Sequence, residues 1–186
     1  WIWGAIGALA MWLLLGFFAR NLSFASLVAT STTAAFLCIV ALGQMLVITT
    51  GRGAIDLSIP SVITLSAYLC AGMVDGKDAN LAYAVPLVLA VGALIGLVNA
   101  ITVLKLRIPP IIATLGVGYI VTTLILIYNP YYRATYIAPL LLHVGRDKLF
   151  GAVPLIVLLA LFFVFVLSLM FKHTRFGKSL SALGQN

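Results

Sequence analysis

Charge is what this sequence has least of. Of its 186 residues, 4 are acidic and 11 are Lys or Arg, so charged residues make up 8%. A soluble domain draws about a quarter of its residues from that class and about half from apolar ones. Here 63% are hydrophobic and the mean hydropathy is +1.21. Too little polar material is present to cover a soluble surface. Cysteine is nearly as scarce. Cys38 and Cys70 both fall inside apolar runs, which excludes a secreted disulfide framework, and two isolated cysteines make no metal motif. His143 and His173 each stand alone in polar links. The chain has no His-Glu-x-x-His, no Cys-x-x-Cys, no Gly-x-Ser-x-Gly and no phosphate-binding Gly-x-x-x-x-Gly-Lys, and no pair of carboxylates inside an apolar run. An intramembrane protease, a metalloenzyme and an ATPase within this chain are all unsupported. If ATP drives the protein's work, another polypeptide must bind it.

What is present is an all-α, polytopic membrane helix bundle in a single domain, residues 1–186. Six apolar stretches stand out: Trp1–Ala19, Leu27–Thr50, Ser61–Val74, Tyr83–Leu104, Ile111–Tyr128 and Gly151–Phe171. A span needs about 20 such residues at about 1.5 Å rise each. Five stretches meet or approach that length. Ser61–Val74 is short, and suffices only if its helix starts near Ile55 or if Gly51–Pro60 enters the bilayer as non-helical backbone. Such backbone is tolerated at depth only where protein or water surrounds it. The first stretch has no basic leader and no small-residue cleavage site after it, so it reads as a span rather than a signal peptide. Its first residue is Trp and not Met, so the native start is expected to lie upstream.

The net charge of +7 sits in the short links and reads as membrane orientation rather than nucleic-acid binding. With the N-terminus in the cytoplasm, Arg52, Lys105, Arg107, Lys172, Arg175 and Lys178 face inward. Arg20, Lys77, Arg133, Arg146 and Lys148 then face outward, together with Asp75, Asp78 and Asp147.

The fourth carboxylate, Asp56, is the exception. It lies in Gly51–Pro60, between two membrane-grade segments, where an ionisable group is costly and usually functional. Asp56 or Ser58 suits a cap for the helix that begins near Pro60, and Asp56 also suits a place beside a solute path. Asn99, and with it Gln44 and Thr49, fits either hydrogen bonding between helices or the lining of that path. Gly92 and Gly96, continued by Ala100, form a small-xxx-small pattern expected to pack against a neighbouring helix of the same subunit. Tyr128, Tyr131, Tyr132 and Tyr136 around Pro130 read as an interfacial belt. After the last apolar run, Arg175, Phe176 and Gly177 offer a bidentate donor, an apolar plug and a flexible joint in succession.

Several of these segments together resemble one family. Gly43-Gln44, Thr50-Gly51 and Ile55-Asp56-Leu57-Ser58 are similar to the signature after the second span in permease subunits of bacterial ATP-binding-cassette sugar importers of the ribose class. Asn99 through Gly116, with Lys105 and Pro109-Pro110-Ile111-Ile112-Ala113-Thr114-Leu115-Gly116, resembles the family's second signature. Gly145-Arg146 through Gly151 and Pro154 resembles its external loop. Thr174–Lys178 with Ala182–Asn186 resembles the start of its cytoplasmic segment that meets the ATPase. The likeness runs in order from about residue 36 to the last residue. Arg52, Ala54, Pro60, Asp147 and Lys148 depart from the family pattern, so the resemblance names a class and not a sugar.

The resemblance implies a permease subunit of the bacterial inner membrane that catalyses nothing itself and holds no cofactor. Its implied partners are ATPase subunits that bind ATP, an extracytoplasmic substrate-binding protein, and a second permease copy or paralogue. The chain then represents the N-terminal part of a ten-span plan, with residues 172–186 opening the ATPase-coupling segment. Gln44, Asp56, Ser58 and Asn99 are the path-side candidates. Arg175, Gly177, Gly184 and Asn186 are the coupling candidates. The alternatives are a secondary transporter or channel with Asp56 as its ion or proton site, a related importer permease for branched-chain amino acids or nucleosides, and a membrane scaffold without transport.

Overall fold

The computed structural model describes residues 2–20, 23–51, 53–128 and 136–184. Six apolar helices follow the six apolar runs: α1 (Ile2–Phe18), α2 (Phe24–Thr49), α3 (Ile59–Val74), α4 (Leu81–Leu104), α5 (Pro110–Tyr128) and α7 (Leu155–His173). Four of them, α2, α4, α5 and α7, are long and apolar enough to cross a membrane alone, while α1 and α3 have 17 and 16 residues. The shortness of α3 has a visible cause. Its helix begins at Ile59, with Pro60 in the first turn, and residues 54–58 before it are non-helical. Two further helices arise in the links: α6 (Pro139–Arg146) and α8 (Arg175–Gly184). A two-residue antiparallel pair, Lys148–Leu149 with Val153–Pro154, stands between α6 and α7.

Lipid tails are as apolar as leucine, so packing detail and polar contacts must hold spans together. Two groups result. In one, α3, α4 and α5 pack mutually, with Val117, Val121 and Ile125 of α5 against Leu65, Tyr68 and Ile95. In the other, α7 packs on α2, α6 and α8, with Ala35 of α2 against Ile156 and Ala160. The wide apolar exposure of α1, from Trp3 to Phe18, suits a lipid-facing helix.

The contacts bring the ends of α2, α4 and α8 together with the starts of α3 and α5, and the end of α3 together with the starts of α4 and α6. At one end the last turn of α3 is closed by side chains. Asn80 donates to the Val74 carbonyl at 3.1 Å, and the Tyr83 hydroxyl donates to the Met73 carbonyl at 2.7 Å. Asp78 accepts the Leu140 N–H at 2.9 Å, capping α6 from 62 residues away. Beneath these contacts Val74, Leu81, Ala84 and Ala138 form a small core. His143 pairs with Asp147 at 2.6 Å on the exposed side of α6. Lys77, Arg146 and Lys148 belong to this end. Lys105, Arg107, Lys172, Arg175 and Lys178 belong to the other. Lys77, Arg146 and Lys148 thus stand apart from Lys105, Arg107, Lys172, Arg175 and Lys178; Arg52 and Arg133 lie outside the described residues, as do Tyr131 and Tyr132 of the expected belt.

Candidate functional site

A carboxylate in an apolar bundle must find polar partners, because an unpaired one is costly to bury. Asp56 finds its first partners two residues along the chain. One carboxylate oxygen accepts both the Ser58 N–H at 2.8 Å and the Ser58 hydroxyl at 2.6 Å. This is an Asx-type turn, which holds the backbone bent without helix. The Ser58 hydroxyl in turn accepts from the Asn99 amide at 2.9 Å. Donation thus runs one way, from Asn99 to Ser58 to Asp56. Ser58 is 1% exposed and Asn99 7%, while Asp56 is half-buried.

The backbone of the same segment is held from two other helices. The Gln44 side-chain amide of α2, oriented to satisfy both groups, donates to the Asp56 carbonyl at 3.3 Å and accepts its N–H at 3.1 Å. From α5, the Thr114 hydroxyl accepts the Leu57 N–H at 3.0 Å and lies 3.2 Å from the Ile55 carbonyl. Without these contacts, residues 55–57 would carry unpaired amides beside apolar helices. The four path-side candidates, Gln44, Asp56, Ser58 and Asn99, are therefore brought together, although they come from three separate parts of the chain.

Their level in the bundle follows from helix geometry. Gln44 and Asn99 each stand five residues before the end of their helix, and Thr114 stands four after the start of α5. At 1.5 Å per residue the cluster is about 6–8 Å inside the helix ends. It sits at the same end as Lys105 and α8. The Asn99 side-chain oxygen, Oδ1, is buried with no partner among the described residues.

Three expectations need correction. Ser58 holds the N-cap position of α3 but makes no side-chain cap, because its hydroxyl is committed between Asp56 and Asn99. Asp56 bonds the N–H of Ser58 itself, not one in the first helical turn. Gly92 and Gly96 meet no neighbouring helix among the described residues: a Cβ added at either finds nothing within 4 Å. The packing face of α4 instead runs through Ile95 and Asn99, and Gly96 points off it. Gly177 is not a flexible joint. It is buried in α8, where a Cβ would collide with the Met170 carbonyl and Phe171 of α7. Thr174 fixes that corner by accepting the Gly177 N–H at 3.1 Å. Arg175 and Phe176 are exposed beside it, Gly184 lies against the end of α2, and Asn186 lies outside the described residues.

The seam that positions the site is on α5. Thr114, Gly118 and Thr122 recur every fourth residue, on one face. Thr114 holds Leu57, and a Cβ at Gly118 would stand 3.3 Å from the Ser58 Cα. The Thr122 hydroxyl meets that of Ser61 at 2.9 Å. The signal was a second small-xxx-small pattern, hidden because threonine passes for an apolar residue at this spacing.

The chain is thus a helical membrane bundle with a non-helical break, a buried polar cluster at that break and an amphipathic helix beside it. Residues 26–186 match the family described as Branched-chain amino acid transport system / permease component, and the chain belongs to that family. It is a multi-pass protein of the inner membrane. Similar proteins include the autoinducer 2 import system permease protein LsrD of Photorhabdus laumondii, 30% identical over 83% of this chain and 48% of that protein. The ribose import permease protein RbsC of Escherichia coli is 33% identical over 91% of this chain and 52% of that protein. The autoinducer 2 import system permease protein LsrC of Yersinia pseudotuberculosis is 31% identical over 97% and 51%. The chain spans about half the length of the curated relatives it matches. No solved structure matches it significantly.

Proposed function

We propose that this chain is a permease subunit of an ATP-driven importer that moves a sugar or a similar small polar solute across the inner membrane. Family membership supports the permease role, and the names of the ribose and autoinducer 2 relatives support the solute class. The observation that carries the reading is the clamped break: one non-helical segment bearing Asp56, held at once by α2, α4 and α5. In a bundle built for support alone, a continuous helix would satisfy the same backbone without side-chain help. Further spans complete a ten-span permease, and two copies, or one with a paralogue, enclose the path. An extracytoplasmic binding protein delivers the solute. ATPase subunits bind ATP and dock at α8, with Arg175, Gly177, Gly184 and Asn186 as the coupling residues.

In this reading the end with Lys105, Lys172 and Lys178 faces the cytoplasm, and the Asp56 cluster guards the inner mouth of the path. The cluster offers a polar hydrogen-bonding surface where the neighbouring helices are apolar, and the passing solute exchanges its hydration for it. Alternating access then means displacing the break between two packings while the long spans keep theirs.

The test is Asp56→Asn beside Asp56→Ala, with uptake of labelled ribose and of leucine measured in membranes that hold the permease and its ATPase. Asn still accepts the Ser58 N–H, so insertion is expected to hold while uptake falls on the order of tenfold, equal to about 1.4 kcal/mol. Asn behaving as wild type with Ala impaired would reduce Asp56 to a structural turn. Uptake of leucine and not ribose would move the solute class. Uptake that needs a proton gradient and no ATPase would replace the proposal with a secondary transporter.

A further inference from the structure

Helix α8 meets the start of the broken segment through a close backbone approach. Its last residue, Gly184, lies against the end of α2. A Cβ on Gly51 would stand 2.9 Å from the Gly184 Cα, and a Cβ on Gly184 would collide with the Thr49 carbonyl oxygen. Gly51 has φ +77°, a conformation that side chains rarely tolerate. Both glycines are therefore demanded by the contact, from opposite sides. At its other end α8 is seated on α7, again through a glycine, Gly177, whose missing Cβ lets the two helices meet.

The contact stands next to the site. The Gly51 N–H closes the last turn of α2 on the Ile48 carbonyl at 3.0 Å, and the Gly51 carbonyl accepts the Ala54 N–H at 3.0 Å. Two residues later Asp56 begins the polar chain to Ser58 and Asn99. Gly51 is thus pinned by α8, and residues 55–58 are held by α2, α4 and α5. Side chains between two elements can absorb a displacement by changing rotamer. A backbone-to-backbone contact has no such slack, and packed elements answer by shifting between discrete arrangements.

We propose that Gly51 and Gly184 are a positioning pair, through which a movement of α8 is delivered to the Asp56 segment without an intervening side chain. The outer side of α8, with Arg175, Phe176, Lys178 and Leu183 exposed, is free to receive the push, and Gly177 supplies the fulcrum. This inference rests on the reading of the chain as an ATP-driven permease, and it adds the route by which the drive reaches the site.

The test places a reporter on the segment itself and needs no solute. Ala54→Cys, with Cys38 and Cys70 replaced by Ala, is labelled by a water-soluble maleimide in membranes that hold the permease and its ATPase. The rate is taken with and without ATP plus vanadate. With Gly184 intact the nucleotide is expected to change the rate by about fivefold, the low end of coupling between distant sites. In Gly184→Ala the response should vanish while the ATPase is still retained on the membrane. Where Gly184→Ala does not insert, Gly51→Asn serves, since Asn tolerates positive φ and its side chain still pushes Gly184 away. A full nucleotide response in either inserted variant overturns the positioning role. A parent protein that retains no ATPase, or shows no response at all, overturns the permease reading and the inference with it.

Discussion

Thr114→Val isolates the clamp on the broken segment. Threonine and valine share shape and β-branching, so the helix and its packing are kept and the hydroxyl alone is lost. That hydroxyl accepts the Leu57 N–H at 3.0 Å and lies 2.8 Å from the Pro110 carbonyl, and Thr114 is 4% exposed. A carbonyl inside a helix keeps its backbone partner, so losing the second contact costs little. The Leu57 N–H has no such reserve. Leaving a buried donor unpaired costs about 1–3 kcal/mol, while side-chain bonds between membrane helices average about 0.6 and reach about 1.7 kcal/mol. The expected loss is therefore about 1–1.5 kcal/mol. Thr123→Val is the matched control on the same helix, because the Thr123 hydroxyl is exposed and bonds back only to the Tyr119 carbonyl at 2.9 Å. It should stay within about 0.5 kcal/mol of the parent. Thr114→Ser keeps the acceptor and should recover most of the loss. The assay is the unfolding equilibrium in mixed detergent micelles with rising sodium dodecyl sulfate. Equal stability of Thr114→Val and Thr123→Val would refute the claim that this hydroxyl holds the segment.

Gly118→Ala should cost about 1–3 kcal/mol through overpacking against Ser58, whereas Gly96→Ala, which meets open space, should be neutral or slightly stabilising; the same micelle titration compares them. Asp78→Ala should remove the cap on α6 and cost about 1 kcal/mol, seen as faster proteolysis of residues 136–154 with the spans intact. Cysteines placed at Lys105 and Lys178 should react with an impermeant maleimide only in inside-out vesicles, and cysteines at Lys77 and Lys148 only in intact cells. Reaction of 178 from outside would reverse the orientation.

The parts legible in the sequence were those where the bilayer leaves no choice. Runs of about 20 apolar residues must be helical because hydrocarbon offers the backbone no other partner, so the six helices lie within a few residues of the six runs. Asp56, Ser58, Asn99 and Gln44 were visible for a related reason: a few polar side chains in such material gain by meeting one another. The short amphipathic helices α6 and α8 stayed hidden in polar links, where ten residues or fewer give little periodicity. Glycine was the least legible residue. Gly92 and Gly96 carried the familiar spacing and meet nothing among the described residues, while Gly51, Gly118, Gly177 and Gly184 carry the close approaches. Spacing along one helix says that a face is small; only the neighbouring backbone says whether that face is used.

The way the break is held also suits a part that moves. A helix in hydrocarbon keeps its bonds within itself, and unwinding one would expose each group to lipid at a cost of several kcal/mol. Residues 55–58 are instead held mainly by side chains of other helices: two bonds from Gln44, one from Asn99 and one from Thr114. At the average for such bonds in membranes they amount to about 2–3 kcal/mol in all. The Asn99 side-chain oxygen, without a partner among the described residues, works against them at a cost of about 1–3 kcal/mol. The restraint from these side-chain bonds is thus smaller than the roughly 5.5 kcal/mol that carries a two-state element from 1:99 to 99:1. A push of ordinary biochemical size can therefore repack this segment while the spans around it keep their structure. In Asn99→Asp at low pH, the protonated carboxyl keeps a donor for Ser58. Its other oxygen remains without a donor, so the restraint should not tighten. Asn99→Leu removes the orphan oxygen and the bond to Ser58 together, and the two effects should nearly cancel in the micelle titration. A loss above about 3 kcal/mol in Asn99→Leu would mean that the oxygen has a partner after all, and that the segment is held too firmly to serve as the moving part.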